Sequence, residues 1–350
     1  MTIPNLGTGV PVELGQIDRE IKKLWEQSGN VATRASLINL AVYCEGREAM
    51  ERNTRLIGQI AQNHACRALL IVVEPEAKER SVQAWISAHC HIGRAGAKQT
   101  CCEQITFLLG GPSHNLIPNI VFSHLDSDLP LFLWWQGEFP DPIDSQLWTW
   151  VDRLIFDSNE WRDQCAELRQ LRASMAEAQG RITLCDLNWT RTLYFRQALS
   201  LTFDHPDNLP FLGKIAEVSI THAPEYRSTA QLLVSWLAAQ LTWQQPATSA
   251  DRAEFIAKDG GKIPVRFVEA EGAPLSRLVL DCGEGDTITL LREKGSDFLR
   301  AECAFTDGRL SHSLFPAGSD TADGLINEEL QRGGRHRVYL KALAIAEELF

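Results

Sequence analysis

The stretch that decides the fold is Asp126–Gly137, DSDLPLFLWWQG. Two aspartates and a proline lead into a continuous apolar run, Leu131 to Trp135, which Gln136–Gly137 closes. The run is too short to cross a bilayer and too uniform for a half-wet strand. It reads as a strand buried on both faces, the pattern of a parallel sheet covered by helices. Pro130 stands at its start, where a missing donor does least harm, and Gly137 lets the chain turn away. Adjacent strand residues face opposite sides, so Trp134 and Trp135 are expected in two different helix–sheet layers.

Working outward, Leu14, Ile17, Ile21, Leu24 and Trp25 form one helical stripe that Ser28–Gly29–Asn30 stops. Leu37–Cys44 and Arg67–Val73 are further apolar runs flanking a weakly amphipathic helix over 47–64. Strand, helix, strand in that order is a βαβ unit with a right-handed crossover. Ser81–Ile92 alternates, with Trp85, Ser87, His89 and His91 on one face. Cys101–Gly111 and Asn119–Phe122 read as strands before the tryptophan run, and Val151–Phe156 as a short one after it. Asp157 with Glu160 predicts a capping box opening a helix that passes Leu168, Leu171 and Met175 to stop at Gly180. A second helix is expected from Asn188 to Phe203. Residues 1–207 are thus expected to form an α/β domain with a largely parallel, helix-covered sheet, with a seam at Asn208–Leu212, NLPFL.

Beyond the seam, Lys214–Thr221 alternates as a strand and Ser228–Trp243 reads as an amphipathic helix. Residues 246–254 are polar and read as a loop. Strands follow at hairpin spacing over Ala253–Ala257, Ile263–Glu269, Ser276–Cys282, Thr287–Glu293 and Phe298–Phe305, with Asp259–Gly260–Gly261 and Glu284–Gly285–Asp286 as turns. Helices near 322–332 and 336–350 close an α+β domain, 208–350, built on an antiparallel meander.

The net charge of −11 argues against nucleic acid or an anionic membrane as the main partner. With no long apolar run and no signal-like start, the chain is expected in the cytoplasm. Its nine cysteines contain no C-x-x-C, and most are expected as buried free thiols. Cys282 and Cys303, on neighbouring predicted strands, could approach disulfide distance, whereas Cys101–Cys102 could form only a strained vicinal bridge. His89-x-His91 with Cys101–Cys102 lacks a four-ligand metal set, so a half-buried histidine pair is expected and no metal. There is no G-x-G-x-x-G, G-x-x-x-x-G-K-[ST] or G-x-S-x-G motif. Gly110–Gly111 before Ser113 is the nearest approach to a phosphate-cradling turn, Gly283-x-Gly285 reads as a hairpin turn, and Asp126/Asp128 and Asp141/Asp144 read as solvated loop acids.

Five blocks in order carry a resemblance: AHCH at 88–91, C-x-E-Q-I-T at 101–106, D-L-P-x-x-L-W-W-x-G at 128–137, DRLIFDS at 152–158, and DLNWTR at 186–191 continuing to Arg196 and Phe203–Asp204. Across roughly residues 30–205 this resembles the glucose-6-phosphate dehydrogenase assembly protein family, OpcA. Tyr194–Phe195 before Arg196 departs from the tryptophan expected there. The resemblance makes His89, His91, Glu103, Gln104, Trp134, Trp135, Asp157 and Trp189 motif residues with structural roles. It implies a protein that is not a catalyst and needs no cofactor. Such a protein binds glucose-6-phosphate dehydrogenase, stabilises its active oligomer in the oxidative pentose phosphate pathway and responds to thiol redox state, with thioredoxin as a further partner. On this view Gln136, Glu138 and Phe139, just past the carboxyl end of a buried strand, contribute to the interface, as one of Arg191 and Arg196 could. The alternative is a sugar-phosphate-binding sensor or enzyme. A deep basic pocket at the open end of the sheet would favour that alternative, and a filled surface the activator.

Overall fold

In the computed structural model, residues 9–28, 32–34, 36–92, 99–111, 116–175, 181–249, 252–333 and 336–350 are described. The first sheet and its helices comprise β1 (Val10–Val12), α1 (Ile17–Ser28), β2 (Ala32–Arg34), β3 (Ile38–Glu45), α2 (Ala49–Ala61), β4 (Cys66–Glu74), β5 (Ser81–Ile92), β6 (Gln99–Gly110), β7 (Leu131–Trp135), β8 (Arg153–Phe156), α3 (Gln164–Ser174) and β9 (Thr183–Asp186). The strand order is β1-β5-β6-β4-β3-β7-β8-β9, with β2 beside β6. Strands β6, β4, β3, β7 and β8 are mutually parallel, while β5 runs antiparallel to β6. From β3 the chain steps outward through β4 to β6, then returns to the other side of β3 with β7, β8 and β9. This is a doubly wound order, and its reversal lies between β3 and β7. All of β7 is buried, in register with β3: Val42 opposes Trp134 and Tyr43 opposes Trp135.

Two local expectations give way. Ile117–Val121 is a helical turn rather than a strand, with Pro118 in its first positions; proline fixes φ and lacks the ladder donor. Asp157 caps only the turn Ser158–Glu160, accepting from Asn159 N, and α3 starts later, at Gln164. The physical reason is Trp161. Its ring stacks on Phe156 at 4.9 Å and its indole N–H donates to the Gly137 carbonyl, holding the chain extended where the predicted helix would run.

The second sheet and its helices comprise α4 (Leu187–Arg191), α5 (Leu193–Asp204), β10 (Glu217–His222), α6 (Arg227–Leu241), β11 (Gln244–Ser249), β12 (Arg252–Ile256), β13 (Lys262–Glu269), β14 (Leu275–Asp281), β15 (Thr287–Leu291), β16 (Phe298–Ala304), β17 (Leu310–Pro316), α7 (Ala322–Gln331) and α8 (Arg337–Ala346). Its order is β11-β12-β13-β10-β14-β15-β16-β17. Strands β14 to β16 form the expected meander, and β17, which alternation and turn signals did not reveal, extends it by one strand. However, β10 inserts between β13 and β14, parallel to β13, so the sheet is mixed. The polar stretch 246–254, expected as a loop, is instead largely the β11–β12 hairpin. The helix expected from Asn188 to Phe203 divides at Thr192, whose hydroxyl donates to the Trp189 carbonyl and competes with helix continuation.

The chain divides into two compact units, Met1–Trp161 with Ala166–Cys185 and Ile326–Gly334, and Arg162–Cys165 with Asp186–Leu325 and Arg335–Phe350. The seam therefore falls at Asp186 and not at 208, because α5 packs on β15, β16 and β17 and belongs with the second sheet.

Replacing Trp135 with alanine should cost about 3–5 kcal/mol, the range for truncating a buried aromatic. Trp150→Ala, at a half-exposed position, should stay within about 0.5 kcal/mol. Urea unfolding of the two variants checks this, and equal midpoints would contradict the packing described.

Candidate functional site

In an open α/β sheet, ligands dock at the carboxyl ends of the strands where the order reverses, with phosphate at the first turn of the following helix. Here that place is the end of β3 and β7. The turn after β3 is Glu45-Gly46-Arg47-Glu48, and Gly46 has φ 82°. A side chain at Gly46 would overlap the Glu48 carboxylate, which folds back over the turn. An acidic group thus stands where a dinucleotide fold receives a pyrophosphate, and it repels one. Arg47 reaches Glu74 at 3.5 Å. Tyr43 donates its hydroxyl to Glu45 at 3.0 Å, and burial first, then that carboxylate, hold the phenol well above its ordinary pKa. The Gly111 N–H is likewise committed, donating to the Glu74 carbonyl at 3.0 Å.

The groups lining the crevice bond to one another. Asn53 Nδ2 donates to Gln136 Oε1 at 3.1 Å, and Gln136 Nε2 returns a bond to Asn53 Oδ1 at 2.7 Å. On the opposite face of β7, Tyr43 stacks on Trp135 at 3.6 Å between ring centroids. The stack continues from Trp135 to Phe139 at 5.2 Å and from Phe139 to Trp161 at 6.0 Å. The indole of Trp135 donates to the Glu138 carbonyl, and Glu167 accepts from Phe139 N. Carboxylates predominate on the rim that remains: Glu45, Glu48, Glu76 and Glu138 are exposed and Glu74 half-buried, with the exposed Arg47 among them paired to Glu74.

The predicted site residues are placed as follows. Gln136 is engaged by Asn53, and Glu138 is exposed. Phe139 is only 5 % exposed, so it is a core residue and not a surface anchor. Its aromatic neighbours on both sides remove it from the surface. Arg191 lies 5.5 Å over Tyr226; Arg196 lies 3.6 Å over Trp189 and donates to Thr192 Oγ1 at 2.8 Å. Both arginines are thus held within the second unit, and Trp189 also packs on Tyr339 at 5.5 Å. Gln104 donates through its amide nitrogen to the Thr54 and Thr106 hydroxyls, leaving its carbonyl oxygen to accept from His89 Nε2 at 2.7 Å. The His91 side chain and Ser113 lie outside the described residues. Glu103 is buried with Arg67 at 3.3 Å and accepts from the Trp25 indole at 3.0 Å.

The thiols are arranged differently from expectation. Cys101 is bridged to Cys90, its direct partner across β5 and β6, and not to Cys102. The cross-strand register was the missing signal: the two strands read as strands, but their pairing is not written in composition. Cys102 is a free thiol beside Cys66; the thiol hydrogen bond between them brings Cys102 down to about 7 and pushes Cys66 up. Cys282 and Cys303 do not lie on neighbouring strands, because β15 runs between β14 and β16. Both are free and buried, and burial pushes Cys282 up to about 12.

Two cavities lie away from the crevice: one of about 450 Å³ beside α2 and β5, lined by Arg55, His89 and Cys90 among others, and one of about 440 Å³ between α5 and β17. A double-mutant cycle of Asn53→Ala and Gln136→Ala should give a coupling of about 1 kcal/mol, read by chemical denaturation; additive effects would show the amide pair to be incidental. A non-reducing digest should link the peptides carrying Cys90 and Cys101, while the seven free cysteines alkylate after unfolding.

Residues 58–173 match a family model described as the glucose-6-phosphate dehydrogenase subunit N-terminal domain, and residues 182–343 its C-terminal counterpart. The two matches meet close to the seam at Asp186. The chain is 27% identical over 325 residues to an OxPP cycle protein OpcA of Nostoc punctiforme, covering 85% of this chain and 67% of that one. It is 24% identical over 318 residues to the protein of that name from Synechococcus elongatus, covering 84% and 70%. The chain thus spans about two thirds of the length of these curated relatives. Among solved structures it is loosely similar to UDP-N-acetylglucosamine 3-dehydrogenase GnnA from Acidithiobacillus ferrooxidans (TM-score 0.47, 11% identity, 89% and 96% covered) and to myo-inositol dehydrogenase from Lactobacillus casei (0.46, 12%, 89% and 93%). With both domain models matched in order over most of its length, the chain belongs to the OpcA family.

Proposed function

We propose that this protein is a non-enzymatic assembly factor and allosteric activator of glucose-6-phosphate dehydrogenase, working in the cytoplasm in the oxidative pentose phosphate pathway. The family models are named for that dehydrogenase, and the relatives for the OxPP cycle. The observation that carries the non-catalytic reading is the crevice at the sheet reversal, where Glu48 covers the phosphate position and the Asn53–Gln136 pair occupies the floor. Placing a nucleotide there would break a satisfied buried amide pair and set phosphate against carboxylate, both unfavourable. That no helix of the described residues is long and apolar enough to cross a membrane is consistent with the location proposed.

An activator needs only to bind the competent state of its target better than the idle one. A coupling of about 1–3 kcal/mol corresponds to roughly 5–150-fold in substrate affinity. The acidic rim, Glu48 and Glu138 with Gln136 between the sheet ends, is the surface we assign to the dehydrogenase, and it suits a basic patch on the partner. The Cys90–Cys101 disulfide supports a redox-sensitive role, in which a dithiol reductant of the thioredoxin type would separate β5 from β6 covalently without touching the crevice.

The test is dehydrogenase kinetics at subsaturating glucose 6-phosphate, with and without this protein, oxidised and reduced. The apparent KM should fall on addition, with no turnover by this protein alone. Glu48→Lys with Glu138→Lys should weaken the effect at least about tenfold at low salt and less at high salt. Unchanged kinetics with a folded protein would overturn the activator reading, and an unaffected double variant would move the interface elsewhere. Cys90→Ser with Cys101→Ser should abolish any difference between oxidised and reduced forms.

A further inference from the structure

The two edges of the second sheet are treated differently by the sequence. At one edge, β11 carries Pro246 within the strand and a register shift between Gln244 and Ala247. Both devices discourage another strand from pairing there. At the other edge, β17 is LSHSLFP, seven residues paired with β16 on one side only. It has no charged residue, its single proline is the last position, and Leu310 to Leu314 are all exposed.

Exposed apolar side chains gather around this edge. Leu310 is 71 % exposed, Leu314 68 % and Phe298 57 %, and the register places them on one face, with Leu314 opposite Arg300 and Phe298 opposite Pro316. On the other face, Leu201 is 55 % exposed and joins Ser311, Ser313 and Phe315 in lining the cavity of about 440 Å³ between α5 and β17. An unprotected backbone edge, apolar residues on both sides of it and a groove beneath make a strand-addition site.

The sequence of the edge fits a copy of itself. In antiparallel pairing about Ser313, Leu310 opposes Pro316 of the second copy, His312 opposes Leu314, and Ser313 opposes Ser313. On the groove side Ser311 opposes Phe315, so each copy sets its bulky ring beside the other's small hydroxyl, over the cavity that lies there. No charge meets a like charge along the strand. The exposed leucines of the two copies would come together around the two-fold axis. We infer that β17 is a self-association edge, through which two copies of this chain join their eight-stranded sheets into one continuous sheet. This is independent of the dehydrogenase reading.

Sedimentation velocity of the full chain over a range of concentrations tests it. A monomer–dimer equilibrium is expected. Leu310→Lys with Leu314→Lys should weaken it at least about tenfold while leaving the circular dichroism spectrum and melting curve unchanged, since opposing like charges on paired strands are destabilising. Val268→Lys, at an exposed position on β13, should leave it intact. Ser313→Cys should form a covalent dimer on oxidation, because the two-fold register sets position 313 against itself. A chain that stays monomeric at all concentrations overturns the inference, as does a dimer insensitive to the double lysine variant. Loss of dehydrogenase binding in that variant, from a chain that is always monomeric, would also overturn it and assign the edge to the dehydrogenase.

Discussion

Tyr43 and Trp135 sit opposite each other in register at the point where the strand order reverses, and their rings stack at 3.6 Å. In a doubly wound sheet this is where neighbouring strands lead their connections to opposite faces and leave a crevice. Here the stack runs on through Phe139 to Trp161 and Phe156, so the strand ends are tied to the loop that follows β7. Two indole N–H groups bind carbonyls of that loop, at Gly137 and Glu138. Each is a buried donor that must be paired, so the loop conformation and the aromatic packing depend on each other. That mutual dependence explains why Phe139, which follows a glycine and a glutamate in an apparently open loop, is core.

The electrostatics of the same end point away from phosphate chemistry. A glycine-rich turn in a nucleotide fold keeps side chains clear so that backbone donors and the helix N-terminus face the anion. In this chain one glycine, Gly46, keeps the positive φ, but the space beside it is taken by Glu48. The positive end of α2 is answered by the protein's own carboxylate. An acidic rim of this kind, on a chain of net charge −11, steers basic surfaces and repels anionic metabolites.

Much of the architecture was legible because burial on both faces leaves a direct mark on sequence. The runs over Leu37–Cys44, Arg67–Val73 and Leu131–Trp135 became β3, β4 and β7, and the meander β14 to β16 was foreshadowed by Gly-containing turns, whereas β17 was not read as a strand. What failed depended on contacts distant in sequence. Nothing local in Asp157–Glu160 reveals that Trp161 will be captured by Phe156 and Gly137, which delays the helix. The insertion of β10 between β13 and β14 is a topological choice invisible to alternation. The same holds for one pair of thiols: Cys90 and Cys101 meet only through the β5–β6 register, whereas the strand that separates Cys282 from Cys303, β15, was itself legible as Thr287–Glu293. Of the motif residues, Trp189, Gln104 and Glu103 are buried and make internal contacts, while an interface leaves no trace in the packing of the free chain.

The two sheets treat their edges in different ways. In the first, the strand beyond β5 is the three-residue β1, and β5 itself is tied to β6 at Cys90–Cys101. In the second, β11 contains Pro246 and a register shift, while β17 carries no charged residue and exposes Leu310 and Leu314. Selection against aggregation removes such an edge unless something occupies it. On the function proposed, a protein that held another enzyme's subunits together would gain from a fixed number of binding faces. A self-paired β17 would bring two copies of each binding face into one assembly, raising the effective concentration of the second contact once the first is made.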